Sequence, residues 1–293
     1  MNFGQGVEII FKSFIMIKHF AQKVEYEIPE HLRNLVISVI IGKTEEKVDL
    51  TIPIFATGFP LIVNIFGDKP TFTVNKIPYQ TESNLVVAGQ IYNSRIVFRQ
   101  TGIFGNVGLI LHPTATYYLF HKPGEFFNNM WTKFTDSTPL DCCKLIEELS
   151  ECSQINRRVK LLLLFLSKLE KNRLPSIPWL ETSVDLILQR NGNVSQDELA
   201  IIAGVSNRHF RRIFKNVIGV PPKYFCKVIQ LNSVFQLLHD TKSEKMHLLA
   251  LDCGYYDQSH FINDFNKLIG DTPENFLLGN QAYLKEYMGR KGL

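Results

Sequence analysis

The chain has 293 residues, 45% of them apolar and 20% charged, with a net charge of +4. That length allows two domains with separate cores, and the composition excludes a disordered or collagen-like chain. Five cysteines (Cys142, Cys143, Cys152, Cys226 and Cys253) are odd in number and show no CxxC spacing. They point to reduced thiols in a cytosolic protein rather than a disulfide framework or a metal site.

In chain order, FIMIKHF (14–20) is too short to span a bilayer and is interrupted by Lys18. It also lacks a small-residue cleavage site, so no targeting signal is expected. Residues 30–112 hold short runs rich in β-branched and aromatic residues: NLVISVIIG, PLIVNIFGD, PTFTVNKIPY, SNLVVAGQIY, SRIVFRQTG and FGNVGLILHP. Gly, Pro, Asn and Asp separate them, which predicts an antiparallel sheet or small barrel. From Pro113 the texture is helical. LDCCKLIEELSEC (140–152) follows Thr138 as candidate N-cap, and NRRVKLLLLFLSKLE (156–170) is a longer helix. LLLLFL is more apolar than a one-sided helix needs, so this helix is either a dimer contact or fully buried within its domain. KNRLPSIP (171–178) has two prolines and marks the boundary between domains at 1–174 and 175–293.

The C-terminal half contains an internal duplication. LAIIAGVSNRHFRRIFKNVIGVPPKYF (199–225) aligns with LALDCGYYDQSHFINDFNKLIGDTPENF (249–276). Leu199-Ala200 pairs with Leu249-Ala250, Gly204 with Gly254, His209-Phe210 with His260-Phe261, and Phe214 with Phe265. Gly219, Pro222 and Phe225 pair with Gly270, Pro273 and Phe276. Each copy predicts a helix-turn-helix: an inward Leu-Ala, a glycine for a left-handed turn, Ser206 or Asp257 as N-cap, then a helix burying aromatics at spacings of three and four. Between the copies, PPKYFCKVIQLNSVFQLLHD (221–240) predicts one helix, a rod able to hold the two units about one turn of DNA apart.

Charge is concentrated in the first copy. Leu199 to His239 carries Arg208, Arg211, Arg212, Lys215, Lys223 and Lys227 and no acidic residue, whereas residues 175–293 have 13 Lys or Arg against 12 Asp or Glu. One basic face on a nearly neutral domain is the expected footprint of a phosphate backbone. The DNA-binding candidates are Asn207, Arg208, Arg211, Arg212, Lys215 and Lys223 in the first unit, and Gln258, Ser259, His260 and Asn263 in the second. Arginine reads guanine, and Asn or Gln reads adenine, in bidentate fashion. Asp264 would repel phosphate if it faced the duplex.

Residues 178–280 resemble the AraC/XylS family of bacterial transcription regulators, most specifically in GYYDQSHFINDFNKLIGDTPENF. The resemblance implies base contacts by Arg208, Arg211 and Arg212, and by Gln258, Ser259, His260 and Asn263. Two departures stand out. The connecting helix has Gln230-Leu231-Asn232-Ser233-Val234 in place of the family's arginine pattern, and Asn263-Asp264 occupy the place of a basic residue. The N-terminal half resembles, more loosely, the cupin-like sensory domains attached to such modules.

The expected fold class is therefore α+β: an N-terminal antiparallel β domain, with a cupin-like barrel as one form, followed by an all-α double helix-turn-helix domain. The histidines of the first half (His19, His31, His112, His121) form no HxH pair, and no P-loop, GxSxG or HExxH occurs, so neither catalysis nor a cofactor or metal is expected. The N-terminal half either binds a small-molecule effector or serves only for protein contacts. Phe55, Phe66, Phe72 and Tyr92 are candidates to line an apolar pocket, although plain core residues would look the same. Expected partners are double-stranded DNA and RNA polymerase, with an effector or a second copy of the chain, and no membrane. The expected location is the cytoplasm.

Overall fold

The computed structural model describes residues 21–23, 26–241 and 246–279. The FIMIKHF stretch lies outside them. The first part of the chain forms β1 (Ala21–Lys23), β2 (Val36–Lys43), β3 (Val48–Ile54), β4 (Leu61–Ile65), β5 (Thr71–Val74), β6 (Ile77–Gln80), β7 (Leu85–Ala88), β8 (Ile96–Gly102) and β9 (Gly105–Leu111). Helix α1 (Ala115–Phe120), strand β10 (Trp131–Lys133), α2 (Phe134–Ser137), α3 (Cys143–Glu151) and α4 (Ile155–Lys171) follow.

The strands make two antiparallel sheets, ordered β1-β2-β9-β4-β7-β10 and β3-β8-β5-β6. Among the described residues they do not close into one hydrogen-bonded barrel. Among the described strands the chain changes sheet six times, the β2–β3 and β8–β9 connections among them. Those corners are tied by Thr44 N–H to Phe104 O (2.9 Å) and Ile103 N–H to the Asp68 carboxylate (2.7 Å). PTFTVNKIPY is two strands rather than one, because Asn75 and Lys76 both take positive φ (50° and 71°) in the two-residue hairpin. The sequence runs also omit β3, VDLTIPI, whose apolar residues are interrupted by Asp49 and Thr51.

The six-stranded sheet is buried on both faces, which explains its continuous apolar runs. Ile62, Val87, Val107 and Leu109 share a core with Leu162, Leu163 and Leu166 of α4. Their neighbours Leu61, Val63, Val86 and Ile110 share a different core with residues of the C-terminal half, including Val184, Phe225 and Ile229. The side-chain period of two thus sends alternate residues to two separate partners.

Helix α4 turns most of its apolar run inward, and only Leu164 of LLLLFL is well exposed, at 63%. Burial within the fold accounts for this helix. Arg158 of α4 is buried. It donates to Asn64 Oδ1 and Leu149 O (both 2.8 Å) and to Cys152 O, satisfying carbonyls at the end of α3. Helix α3 starts at Cys143 rather than after Thr138, because Asp141 accepts from Cys143 N–H (3.0 Å) while Thr138 accepts from Leu140 N–H.

The C-terminal half is helical: α5 (Pro178–Gln189), α6 (Gln196–Ile202), α7 (Asn207–Ile218), α8 (Pro222–Thr241), α9 (Met246–Asp252), α10 (Gln258–Ile269) and α11 (Pro273–Gly279). Proline at the start of α5 suits a position whose N–H needs no partner. No helix among the described residues is long and apolar enough to cross a membrane.

Candidate nucleic-acid interface

Each sequence copy folds as expected into two helices and a turn. In the first unit, Ser195 caps α6 by accepting from Glu198 N–H (3.1 Å), and Ser206 caps α7 by accepting from His209 N–H (3.3 Å). In the second, Asp257 caps α10 by accepting from His260 N–H (2.7 Å). The turn glycines Gly204 and Gly254 have φ of 66° and 81°. The glycines that end α7 and α10, Gly219 and Gly270, have φ of 93° and 86°.

Helix α7 is sharply two-sided. Phe210, Phe214, Val217 and Ile218 are buried, with Trp179 of α5 packed on Phe210 at 5.6 Å. Arg208, Arg211, Arg212 and Lys215 are exposed on the other side, four positive charges with no acidic residue in the helix. Lys223 is exposed at the start of α8. Asn207 is exposed but turned to protein: its amide donates to Asp197 (2.7 Å) and accepts from Gln196 (3.4 Å), tying α7 to α6.

Helix α10 buries Phe261 and Phe265 and exposes Gln258, Ser259, Asn263, Asn266 and Lys267. Asp264 is not on that face. Its carboxylate meets the Lys227 ammonium at 2.8 Å and the His260 ring at 3.3 Å, and Lys227 lies 2.8 Å from the same ring. Lys227 also sits over the Tyr255 ring, 5.1 Å from its centre. Burial, with the Asp264 charge next in importance, pushes the Tyr255 hydroxyl far above the usual phenol range. His260 and Lys227 therefore hold α10 against α8 rather than facing solvent as free charges. Position alone gives Tyr256 weight: it is 89% exposed, immediately before the cap of α10.

The connecting helix α8 is buried along its middle. Gln230 donates to Cys253 O (3.1 Å), Asn232 to Thr57 O (3.1 Å) and Ser233 to Gln230 O (2.7 Å). Short polar residues stand where arginines were expected because this stretch is enclosed between the second unit and the β domain, where each finds a backbone partner.

The same seam runs on to the first unit. Tyr224 donates to Ile91 O (3.0 Å) and packs edge-on against Tyr92 at 4.8 Å. Lys215 lies 3.9 Å from Glu125. These partners lie far apart in sequence, so no local pattern announces them.

The four aromatic pocket candidates do not converge. Phe66 lies under the Arg158 guanidinium (4.8 Å) in the α4 core. Phe72 packs on Trp131 at 4.2 Å, and Tyr92 lies in the seam. Only Phe55 lines the cleft found at the mouth of the two sheets, together with Thr57, Gln90, Ile96, Met130 and Trp131. The cleft encloses about 470 Å³ of empty space, its solvent opening included, and its lining carries no charged side chain. Alternation along a strand identifies inward residues but does not say into which of several cores they point.

Residues 199–278 match the family described as helix-turn-helix domain. This segment is a helix-turn-helix domain. Over 105 residues the chain is 31% identical to the HTH-type transcriptional regulator ArgR of Pseudomonas aeruginosa, covering 35% of this chain and 32% of that protein. Over 98 residues it is 31% identical to an uncharacterized HTH-type transcriptional regulator of Haemophilus influenzae, covering 33% of each. The matches thus span about a third of the length of these relatives. Among solved structures it is similar to unsaturated fatty acid bound wild-type ToxT from Vibrio cholerae, with 13% identity, a TM-score of 0.44, and coverage of 86% of this chain and 99% of that one.

Proposed function

We propose that the chain is a sequence-specific DNA-binding transcriptional regulator. The observation that carries this reading is the exposed row Arg208, Arg211, Arg212 and Lys215 on a capped second helix of a helix-turn-helix domain. A helix of about 10–12 Å diameter enters a major groove, and arginine on its outer face pairs bidentately with guanine. In this reading Arg208, Arg211 and Arg212 contact base edges, and Lys215 and Lys223 contact phosphates. Gln258, Ser259 and Asn263 read a second groove with less charge behind them. Asn207 and His260 act indirectly, by positioning the helices.

The reading assigns residues 1–174 to regulation and 175–293 to DNA, in a cytoplasmic, non-enzymatic protein that works with RNA polymerase. The uncharged cleft supports control by a small apolar, uncharged effector. The long seam equally suits a β domain that only makes protein contacts, within the chain or with a second copy. Thermal melting of the full chain against neutral hydrophobic compounds separates the two, since a bound effector stabilises by about 2.7 kcal/mol at a hundredfold excess over Kd.

The central test is selection of random duplexes on the full chain, followed by sequencing and a salt titration. Enrichment of a motif supports the reading. Binding without enrichment that fades as salt rises would reduce the basic face to non-specific attraction.

A further inference from the structure

The two recognition helices end at duplicated glycines, and the β domain touches both. At the first, the Asn128 amide donates to Gly219 O at 2.9 Å, and Gly124 packs so closely that a Cβ on Gly219 would come within 2.7 Å of the Gly124 backbone. At the second, the Arg95 guanidinium packs against Gly270, where a Cβ would overlap its Nε, Cζ and Nη2 atoms. Both contacts bring N–H donors or positive charge to a helix C-terminus, where unpaired carbonyls and the helix dipole favour them.

Asn128 and Arg95 stand on different parts of the β domain: one beside β10, the other at the start of β8. Between these grips the same domain holds α8, through Ile91 to Tyr224 and Thr57 to Asn232. Phe55 inserts into the second unit against Phe235 (6.1 Å) and Phe276 (5.5 Å). The two reading helices are thus joined twice, once by the twenty-residue α8 and once by the β domain. A rod alone leaves twist and bend free; a second, off-axis attachment removes them.

Resting on the DNA-binding reading above, we infer that Asn128 and Arg95 are positioning residues which lock the spacing of the two half-sites that the protein accepts. They touch no base. Their effect is on the distance and rotation between two motifs, not on the motifs.

The test uses the full chain and the variants Arg95→Gln, Asn128→Asp and the pair together, in random-duplex selection. Arg95 is surface-exposed, so Arg95→Gln keeps the proposal testable if Asn128→Asp disturbs folding, which circular dichroism reports. The wild type is expected to select two half-motifs at one spacing and to lose roughly tenfold or more in affinity when a single base pair is inserted, a shift of about 3.4 Å and a tenth of a turn. The variants should select the same half-motifs over several spacings, and the insertion should cost them less than about threefold. Variants that keep the single wild-type spacing would overturn the inference. A wild type that selects only one half-motif would also overturn it while leaving DNA reading by the first unit intact. No enrichment by the wild type would instead sink the DNA-binding reading itself.

Discussion

The Asp264 carboxylate lies 2.8 Å from the Lys227 ammonium, on the inner side of α10, with 19% and 21% of the two side chains exposed. An acidic residue that the sequence placed among outward positions is thus neutralised by a lysine that the sequence placed on the basic face. Removing Lys227 leaves the largely buried Asp264 carboxylate without its ammonium partner. Lys227→Met should destabilise the chain by about 1.5–3 kcal/mol in urea unfolding. Adding Asp264→Asn should recover most of that loss. If the double variant is as unstable as the single one, the pair is not coupled.

Arg211→Ala and Arg212→Ala should each lower affinity for a selected duplex by about 1–3 kcal/mol and relax preference at one base position. Lys223→Ala should weaken binding evenly across sequences and reduce the salt slope by about one counterion. Fluorescence anisotropy on matched and scrambled duplexes measures both. Wild-type affinity in both arginine variants would show that α7 is not the reader.

Phe55→Ala should loosen the second unit selectively. The half-buried ring bridges Phe235 and Phe276, and its loss should cost about 2–3 kcal/mol. Hydrogen exchange should then speed up in residues 246–279 and change little in α7. Uniform acceleration across the chain would mean that the two units unfold together.

Gly219→Ala and Gly204→Ala place the same residue at positive φ in different surroundings. At Gly204 nothing lies within 4 Å of the added Cβ, so only the backbone cost of about 1–2 kcal/mol applies. At Gly219 the Cβ also meets Gly124 and Asn128, and the loss should be clearly greater. Equal melting temperatures would argue against the close packing at Gly219.

Burial raises the Glu181 carboxyl above the usual carboxylate range, with the Asp185 charge adding to the effect and His112 and Arg173 opposing it. A raised folded-state pKa favours folding below the unfolded value near 4.5 and loses that contribution as pH climbs through the folded value. Glu181→Gln, which cannot ionise, should therefore raise the melting temperature at pH 8 relative to the wild type. The difference should shrink as the pH falls to 4. A pH-independent difference would assign the effect to packing.

Local chemistry made the C-terminal half legible from the sequence. Caps such as Ser206 and Asp257, turn and end glycines such as Gly204 and Gly270, and the Phe210–Phe214 spacing act within a few residues, and the duplication repeats them. The strand runs were legible for the same reason, since a sheet buried on both faces needs continuous apolar segments. What only the tertiary structure decided were pairings between residues far apart in the chain: Asp264 with Lys227, Asn232 with Thr57, Asn128 with Gly219, Arg95 with Gly270, and the scattering of Phe55, Phe66, Phe72 and Tyr92 into separate surroundings. A side chain's type states which partners would satisfy it. Which of them it meets depends on how α8 and the two sheets pack, and no local pattern carries that information.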